Sequence, residues 1–224
     1  MRLLFLPGMD GTGILFEPIK KYIIESCSYE ILPLSTLRSN HPKEQAIEIA
    51  EQFKSEEIVL FAESYSGLIA YELCQLSGVT VKHVFFAASF LSRPSLLAKF
   101  SSLIPLSMIR HRIVPTTVLS YLLFGSINRT ELVKLFYKAL DNVSNKELKE
   151  RLKIIRRATE PVEKIHQPTT YLNASADYLV NKKVISSFKR VCLELNVVNI
   201  QGGHFIAQSN PEKCWQEISR IIAS

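Results

Sequence analysis

At 224 residues the chain suits one domain with room for a small insertion. Apolar residues make up 47% and charged residues 21%, a globular composition that excludes long disorder. The net charge of +6 admits nucleic acid or anionic lipid as partners, yet much of it falls between Lys146 and Arg157, where Glu147 and Glu150 interleave; that reads as a solvated helix face, and no nucleic-acid motif accompanies it.

The chain opens on a short apolar run, Leu3 to Leu6, stopped by Pro7-Gly8. It is too short for a signal peptide and reads as the first strand of the fold, Arg2–Leu6. Helical spacing of Leu15, Ile19, Tyr22 and Ile23 predicts a helix over Ile14–Ser26, followed by a strand over Tyr29–Leu34. Pro42 fits the start of a helix over Lys43–Lys54. A strand over Ile58–Ala62, a helix over Tyr65–Ser77 closed by Gly78, and a strand over Val81–Ala87 come next.

Ser92 to Pro161 has no strand pattern and several helical stretches. The alternation then resumes: strand Thr169–Asn173, helix Lys182–Cys192, strand Leu195–Ile200, helix Pro211–Ile222. Alternating elements of this kind predict a mostly parallel sheet covered by helices on both faces. The expected organisation is a core of residues 1–91 and 162–224 carrying a helical lid, 92–161. No run reaches the ~18 apolar residues of a membrane span, so a soluble cytoplasmic protein is the default. The cysteines, Cys27, Cys74, Cys192 and Cys214, are scattered and lack CxxC spacing, so reduced buried thiols are expected and a zinc site is not.

Chemistry concentrates where strands end. In Ala62-Glu63-Ser64-Tyr65-Ser66-Gly67 a buried strand passes into a helix across Ser64. Ala62 and Ser66 sit two positions to either side, where a sharp turn tolerates only small side chains. Such a turn lifts a serine hydroxyl above the sheet and aims helix amides at it. Ser66 is the rival nucleophile, but it would place Leu68 at a position that must be small. Ser64 as a simple helix cap is the competing structural reading.

Asp177 follows the strand Thr169–Asn173 and is the only one of three aspartates in such a place. His204 follows the last strand after Gly202-Gly203, which let the chain bend; His41, His83, His111 and His166 lie in loops, basic surroundings or at a strand's start. Ser, then Asp, then His, each after a strand, is the chain order of one known triad arrangement. The loop Leu6-Pro-Gly-Met-Asp-Gly-Thr-Gly13 lacks a Walker ending. In this arrangement the loop after the first strand and the residue after the nucleophile supply the oxyanion donors, here the backbone N–H groups of Met9 and Tyr65. Asp10 is expected to close its own loop.

These residues resemble the α/β-hydrolase superfamily over nearly the whole chain. LPGMDGTG, AESYSG and GGHF together look like a group of small bacterial serine hydrolases and, more distantly, the hydrolase-like part of plant phytyl ester synthases. The departures are Ala62 and Ser66 where that motif usually has glycine, and Pro7 where many members have histidine. Two strands that often precede the first have no counterpart, which implies a compact three-layer α/β-hydrolase fold with a helical cap. The resemblance implies acyl-ester chemistry: ester or thioester hydrolysis, or acyl transfer to an alcohol, on a small-molecule substrate with no metal or cofactor. The apolar runs Leu96–Ile109 and Val114–Phe124 suggest that the cap takes a hydrophobic acyl group, with Leu103 and Leu119 as inward-facing contacts; ordinary helix packing is the alternative. Arg110, His111 and Arg112 could meet an anionic headgroup or a coenzyme A phosphate, or simply solvent. A basic, apolar cap would also suit a lipid surface.

Overall fold

The structure, a computed structural model, describes residues 1–24, 27–94 and 106–223. Its centre is a six-stranded sheet of order β2-β1-β3-β4-β5-β6, in which every paired neighbour is parallel. The strands are β1 (Arg2–Leu6), β2 (Tyr29–Ile31), β3 (Glu57–Glu63), β4 (Thr80–Ala87), β5 (Thr169–Ala174) and β6 (Leu195–Ile200). Parallel pairing demands crossovers, and the helices predicted between the strands supply them.

Period-two alternation splits the buried strand residues between two faces. Leu4, Leu6, Leu60, Ala62 and Phe86 face one cluster, with helices α2 (Pro42–Gln52), α3 (Gly67–Cys74) and α8 (Val184–Val191). Leu3, Phe5, Phe61, Phe85 and Leu172 face the other, with α1 (Glu17–Lys20), α9 (Ile206–Ser209) and α10 (Pro211–Ile222). The central strands are apolar at almost every position because both sides are covered. Phe5, Phe16 and Phe61 anchor the second face with ring centroids 5.1 to 5.9 Å apart.

The helix expected over Ile14–Ser26 is mostly absent. A 3₁₀ turn, Ile14–Phe16, leads into the four-residue α1, and turns follow. Leu15, Phe16 and Ile19 find buried positions and Ile23 packs partly against the second cluster, whereas Tyr22 and Ile24 point to solvent, so the apolar stripe is too short to sustain a longer helix.

Between β4 and β5 the described chain is helical: α4 (Leu106–Arg110), α5 (Thr116–Phe124), α6 (Thr130–Asp141) and α7 (Asn145–Arg157). Their apolar faces form a third cluster, containing Leu119, Leu123, Phe124, Val133 and Leu140. Leu15, Leu179 and Phe205 belong to the same cluster, and each comes from a loop leaving the carboxyl end of a strand. The helices therefore sit over the edge of the sheet where β1, β5 and β6 end. Leu103 and residues 96–105 of the apolar run lie outside the described residues. No helix among the described residues is long and apolar enough to cross a membrane. All four cysteines are buried and free, as expected.

Candidate active site

The register sets the carboxyl ends of the central strands side by side: Leu6 pairs with Ala62, Glu63 with Ala87, Ala87 with Leu172 and Asn173 with Asn199. The loops that carry Met9, Ser64, Asp177 and His204 thus emerge along one edge. At the turn after β3, Ser64 has φ +50°, a left-handed conformation unfavourable for a residue with a Cβ. Two hydroxyls hold the turn in place. Ser89 Oγ donates to the Ser64 carbonyl at 2.6 Å, and Ser89's own carbonyl accepts from Tyr171 Oη at 3.0 Å. Ser66 Oγ donates to the Pro7 carbonyl at 2.5 Å, tying the turn to the loop after β1. That occupies the rival serine and gives the departure from glycine at this position a structural use.

Ser64 Oγ and His204 Nε2 are 2.8 Å apart, and His204 Nδ1 lies 2.8 Å from Asp177 Oδ2. Asp177 Oδ1 accepts from the backbone N–H groups of Leu179 and Val180, each at 2.8 Å, which fixes the carboxylate's rotation. With a carboxylate on Nδ1, the proton of a neutral imidazole belongs there, leaving Nε2 free to accept from the Ser64 hydroxyl. Burial of His204 disfavours its imidazolium, but the Asp177 carboxylate outweighs burial and carries the pKa above its ordinary 6.5. A nearby ionised Glu63 would add to that rise. Burial, reinforced by Asp10, pushes Glu63 itself up to about 8, so at neutral pH Asp177 provides the effect.

The bend before His204 needs glycine. A Cβ on Gly203 would lie 2.5 Å from the Gly125 nitrogen and 2.6 Å from the Leu123 carbonyl. The end of α5 therefore packs directly against the histidine loop, and Phe205 N–H donates to the same Leu123 carbonyl at 3.1 Å. The other histidines stay out of the site. His83, for example, pairs with Thr170 Oγ1 at 2.9 Å inside the sheet, and burial pushes it down to about 4.

The loop after β1 lies against Ser64: a Cβ on Gly8 would meet the Ser64 Cβ at 3.6 Å. The Gly8 carbonyl accepts from Gly11 N–H at 3.0 Å. In a trans peptide the N–H points opposite to the carbonyl, so the Met9 N–H is turned out of that loop. No hydrogen bond among the described residues uses it. The Tyr65 N–H, in the first turn of a helix, has no partner within that helix either. Asp10 closes its own turn, accepting from Thr12 N at 3.0 Å and Thr12 Oγ1 at 2.6 Å.

Arg151 departs from the expected solvated face. It is 1% exposed and donates from Nη1 to the carbonyls of Met9 at 3.0 Å and Asp10 at 2.9 Å. The capping box of Ser144 and Glu147, which begins α7, sets Arg151 one turn further along. Leu119 is fully buried inside the apolar cluster beside Phe124 and Phe205. Arg112 pairs with Asp141 at 3.2 Å over the Tyr137 ring, and Arg110 donates to the Val143 carbonyl, so both brace the helical segment.

No protein-family model matches the sequence, and no curated protein matches it. Solved structures do. An esterase from Exiguobacterium antarcticum superposes with TM-score 0.76 over all of this chain and 92% of that one, at 13% identity. A lipase-esterase related protein from Clostridium acetobutylicum matches with TM-score 0.74, covering 98% and 93% of the two chains at 18% identity. The chain has the α/β-hydrolase fold. The RedJ thioesterase of the prodiginine pathway in Streptomyces coelicolor shares that fold, with TM-score 0.69 over 99% and 89% of the chains at 17% identity.

Proposed function

We propose that this chain is a serine hydrolase that cleaves a carboxylic ester or thioester of a hydrophobic acyl group through an acyl-Ser64 intermediate. The observation that carries the reading is the hydrogen-bonded series from Ser64 Oγ through His204 to Asp177, at 2.8 Å and 2.8 Å, on a strained strand-to-helix turn. Structural similarity to an esterase and to a thioesterase supports the reaction class. So does the similarity of the Leu6–Gly13 and Ala62–Gly67 segments to small bacterial serine hydrolases. In this reading His204 Nε2 takes the Ser64 proton as Oγ attacks the acyl carbonyl. The Met9 and Tyr65 amides receive the oxyanion, and His204 returns the proton to the leaving alcohol or thiol. Water, deprotonated by the same imidazole, then releases the acid.

A fluorophosphonate probe is expected to label Ser64, and Ser64→Ala to abolish both labelling and ester hydrolysis. Peptide mapping of the labelled protein reads the site; label on Ser66 with Ser64 free would overturn the assignment.

Residues 92–161 act in this reading as a lid over Ser64. Their apolar cluster, seated on Leu15, Leu179 and Phe205, offers the surface for the acyl chain. Each buried CH₂ contributes about 0.8 kcal/mol, so kcat/KM is expected to rise with chain length until the space is filled. Leu119→Ala opens room inside the cluster and shifts the preference to longer chains, at a stability loss of about 2–5 kcal/mol. Esters spanning roughly two to twelve acyl carbons test it, since at that energy per CH₂ the series covers several decades of rate. A flat profile that Leu119→Ala leaves flat would place the acyl pocket elsewhere.

A further inference from the structure

Glu63 is the last residue of β3 and directly precedes Ser64. It is completely buried, and its Oε1 has no hydrogen-bond partner. Its Oε2 accepts from Gln208 Nε2 of α9 at 3.3 Å. A carboxylate is rarely left so deep in a fold without a counter-ion. The groups that face it are Asp10 from the loop after β1, His204 from the loop after β6, Gln208 from α9 and the Cys214 thiol of α10. None is a permanent cation; His204 is one only while protonated. Asp10 Oδ1, also buried and unpartnered, turns toward the same Gly8: a Cβ there would lie 3.8 Å from Glu63 Oε2 and 3.9 Å from Asp10 Oδ1. Two carboxyl groups thus lie behind the peptide that carries the Met9 N–H.

We propose that Glu63 is a positioning residue of the triad, held as a neutral acid behind the oxyanion loop while the enzyme works, and that its ionisation switches the site off. The proposal rests on the serine-hydrolase reading and adds a pH limit to it. In the transition state the imidazolium is compensated by Asp177 through a direct hydrogen bond, whereas the oxyanion has only amide donors. A second anion beside Gly8 would oppose the oxyanion through a buried, weakly screened path. Gln208 bonds Glu63 and also lines a cavity of about 600 Å³ between the starts of α6 and α10, with Arg129, Thr130, Asn210 and Pro211. Burial and the neighbouring Asp10 push the Glu63 carboxyl up to about 8, against the opposing pull of a charged His204 and, less, of the Gln208 hydrogen bond.

The test has one arm that needs no substrate. Infrared titration of the wild-type protein should show a buried protonated carboxyl at neutral pH that disappears around pH 8, and Glu63→Gln should lack it. Because the folded pKa lies above the ordinary 4.5, the native state holds the proton longer than the unfolded chain. The stability from Glu63 is full below that value and is lost as pH rises to about 8. The melting temperature of Glu63→Gln should therefore gain on wild type across that window. In the second arm, the pH profile of Ser64 labelling by a fluorophosphonate should decline above about pH 8 in wild type. The decline should be absent in Glu63→Gln and shifted to higher pH in Gln208→Leu, which also serves if Glu63→Gln does not fold. No protonated carboxyl, or an alkaline decline that both variants leave in place, overturns the proposal. An unlabelled Ser64 alongside the expected carboxyl titration would instead overturn the serine-hydrolase reading.

Discussion

Asp177→Asn is expected to lower kcat by roughly 10³–10⁴ without unfolding the protein, and His204→Ala by at least as much. The reason for the first lies in the two backbone N–H groups at Asp177 Oδ1. An asparagine must offer its carbonyl oxygen to Leu179 and Val180, because its amide nitrogen would clash with those donors. The NH₂ then faces His204 Nδ1 and forces the ring to accept there. The proton moves to Nε2, the atom that has to accept from Ser64, and the base is lost through the wrong tautomer. The same change removes the carboxylate that holds the His204 pKa above 6.5. If His204 is the base, as proposed, it is protonated below that raised pKa in wild type, so kcat/KM should climb with pH through an acid limb above 6.5. In Asp177→Asn the limb should move to lower pH while the plateau drops. Steady-state kinetics against pH, with a thermal melt of each variant, read both effects. Full activity in Asp177→Asn would mean that another carboxylate orients the histidine.

The strands and the three loops bearing Ser64, Asp177 and His204 were legible because each strand is a short apolar run with a definite stop. Side-chain size around Ser64 spoke for a tight turn even without glycines, and the strained φ of Ser64 agrees with that argument. What the sequence did not disclose were contacts between segments far apart in the chain. Ser89 and Tyr171 hold the turn at Ser64 through carbonyls, and nothing in a local pattern marks a hydroxyl for that use. The helix over Ile14–Ser26 failed for a related reason. Its periodic residues were present, but whether Tyr22 would find a surface to bury against depended on the rest of the fold. The predicted strand stops at Ala62, one residue short of Glu63; the burial of that carboxyl without a permanent counter-ion emerged only when the loops after β1 and β6 brought Asp10 and His204 to it. Arg151 had a signal that its charged neighbours masked. Leu148, Arg151 and Ile155 are spaced three and four residues apart on one buried face of α7, so an arginine stood in a stripe that otherwise carries apolar side chains.

Arg151→Met is therefore expected to cost the enzyme catalysis as well as stability. The guanidinium donates to the carbonyls of both Met9 and Asp10, and its charge lies close to the Asp10 carboxylate. It holds the turn that aims the Met9 N–H outward, and in the proposed mechanism it adds positive potential behind the place where the oxyanion would form. The fit leaves no slack: Gly11 has φ +68°, and a Cβ there would lie 2.5 Å from Arg151 Nη1. Methionine fills much of the same volume but leaves two carbonyls without their donor, a loss of about 1–3 kcal/mol each if they stay buried. Freed of the clamp, the loop can rotate the Gly8–Met9 peptide, and one oxyanion donor drifts from its aim. Removal of such a donor lowers kcat by roughly 10²–10³. KM should change little, since the oxyanion exists only in the transition state. Arg151→Lys should fall between the two, because an ammonium can still donate to the carbonyls but sits on a shorter stem, without the rigid planar guanidinium that aims both bonds from Nη1. The deciding comparison is the affinity for a trifluoromethyl ketone, which forms a tetrahedral adduct with serine and places an oxyanion in the hole. Its affinity should decline across wild type, Arg151→Lys and Arg151→Met in proportion to kcat/KM. If the melting temperature falls while kcat and ketone affinity hold, Arg151 braces the fold and leaves the oxyanion site alone.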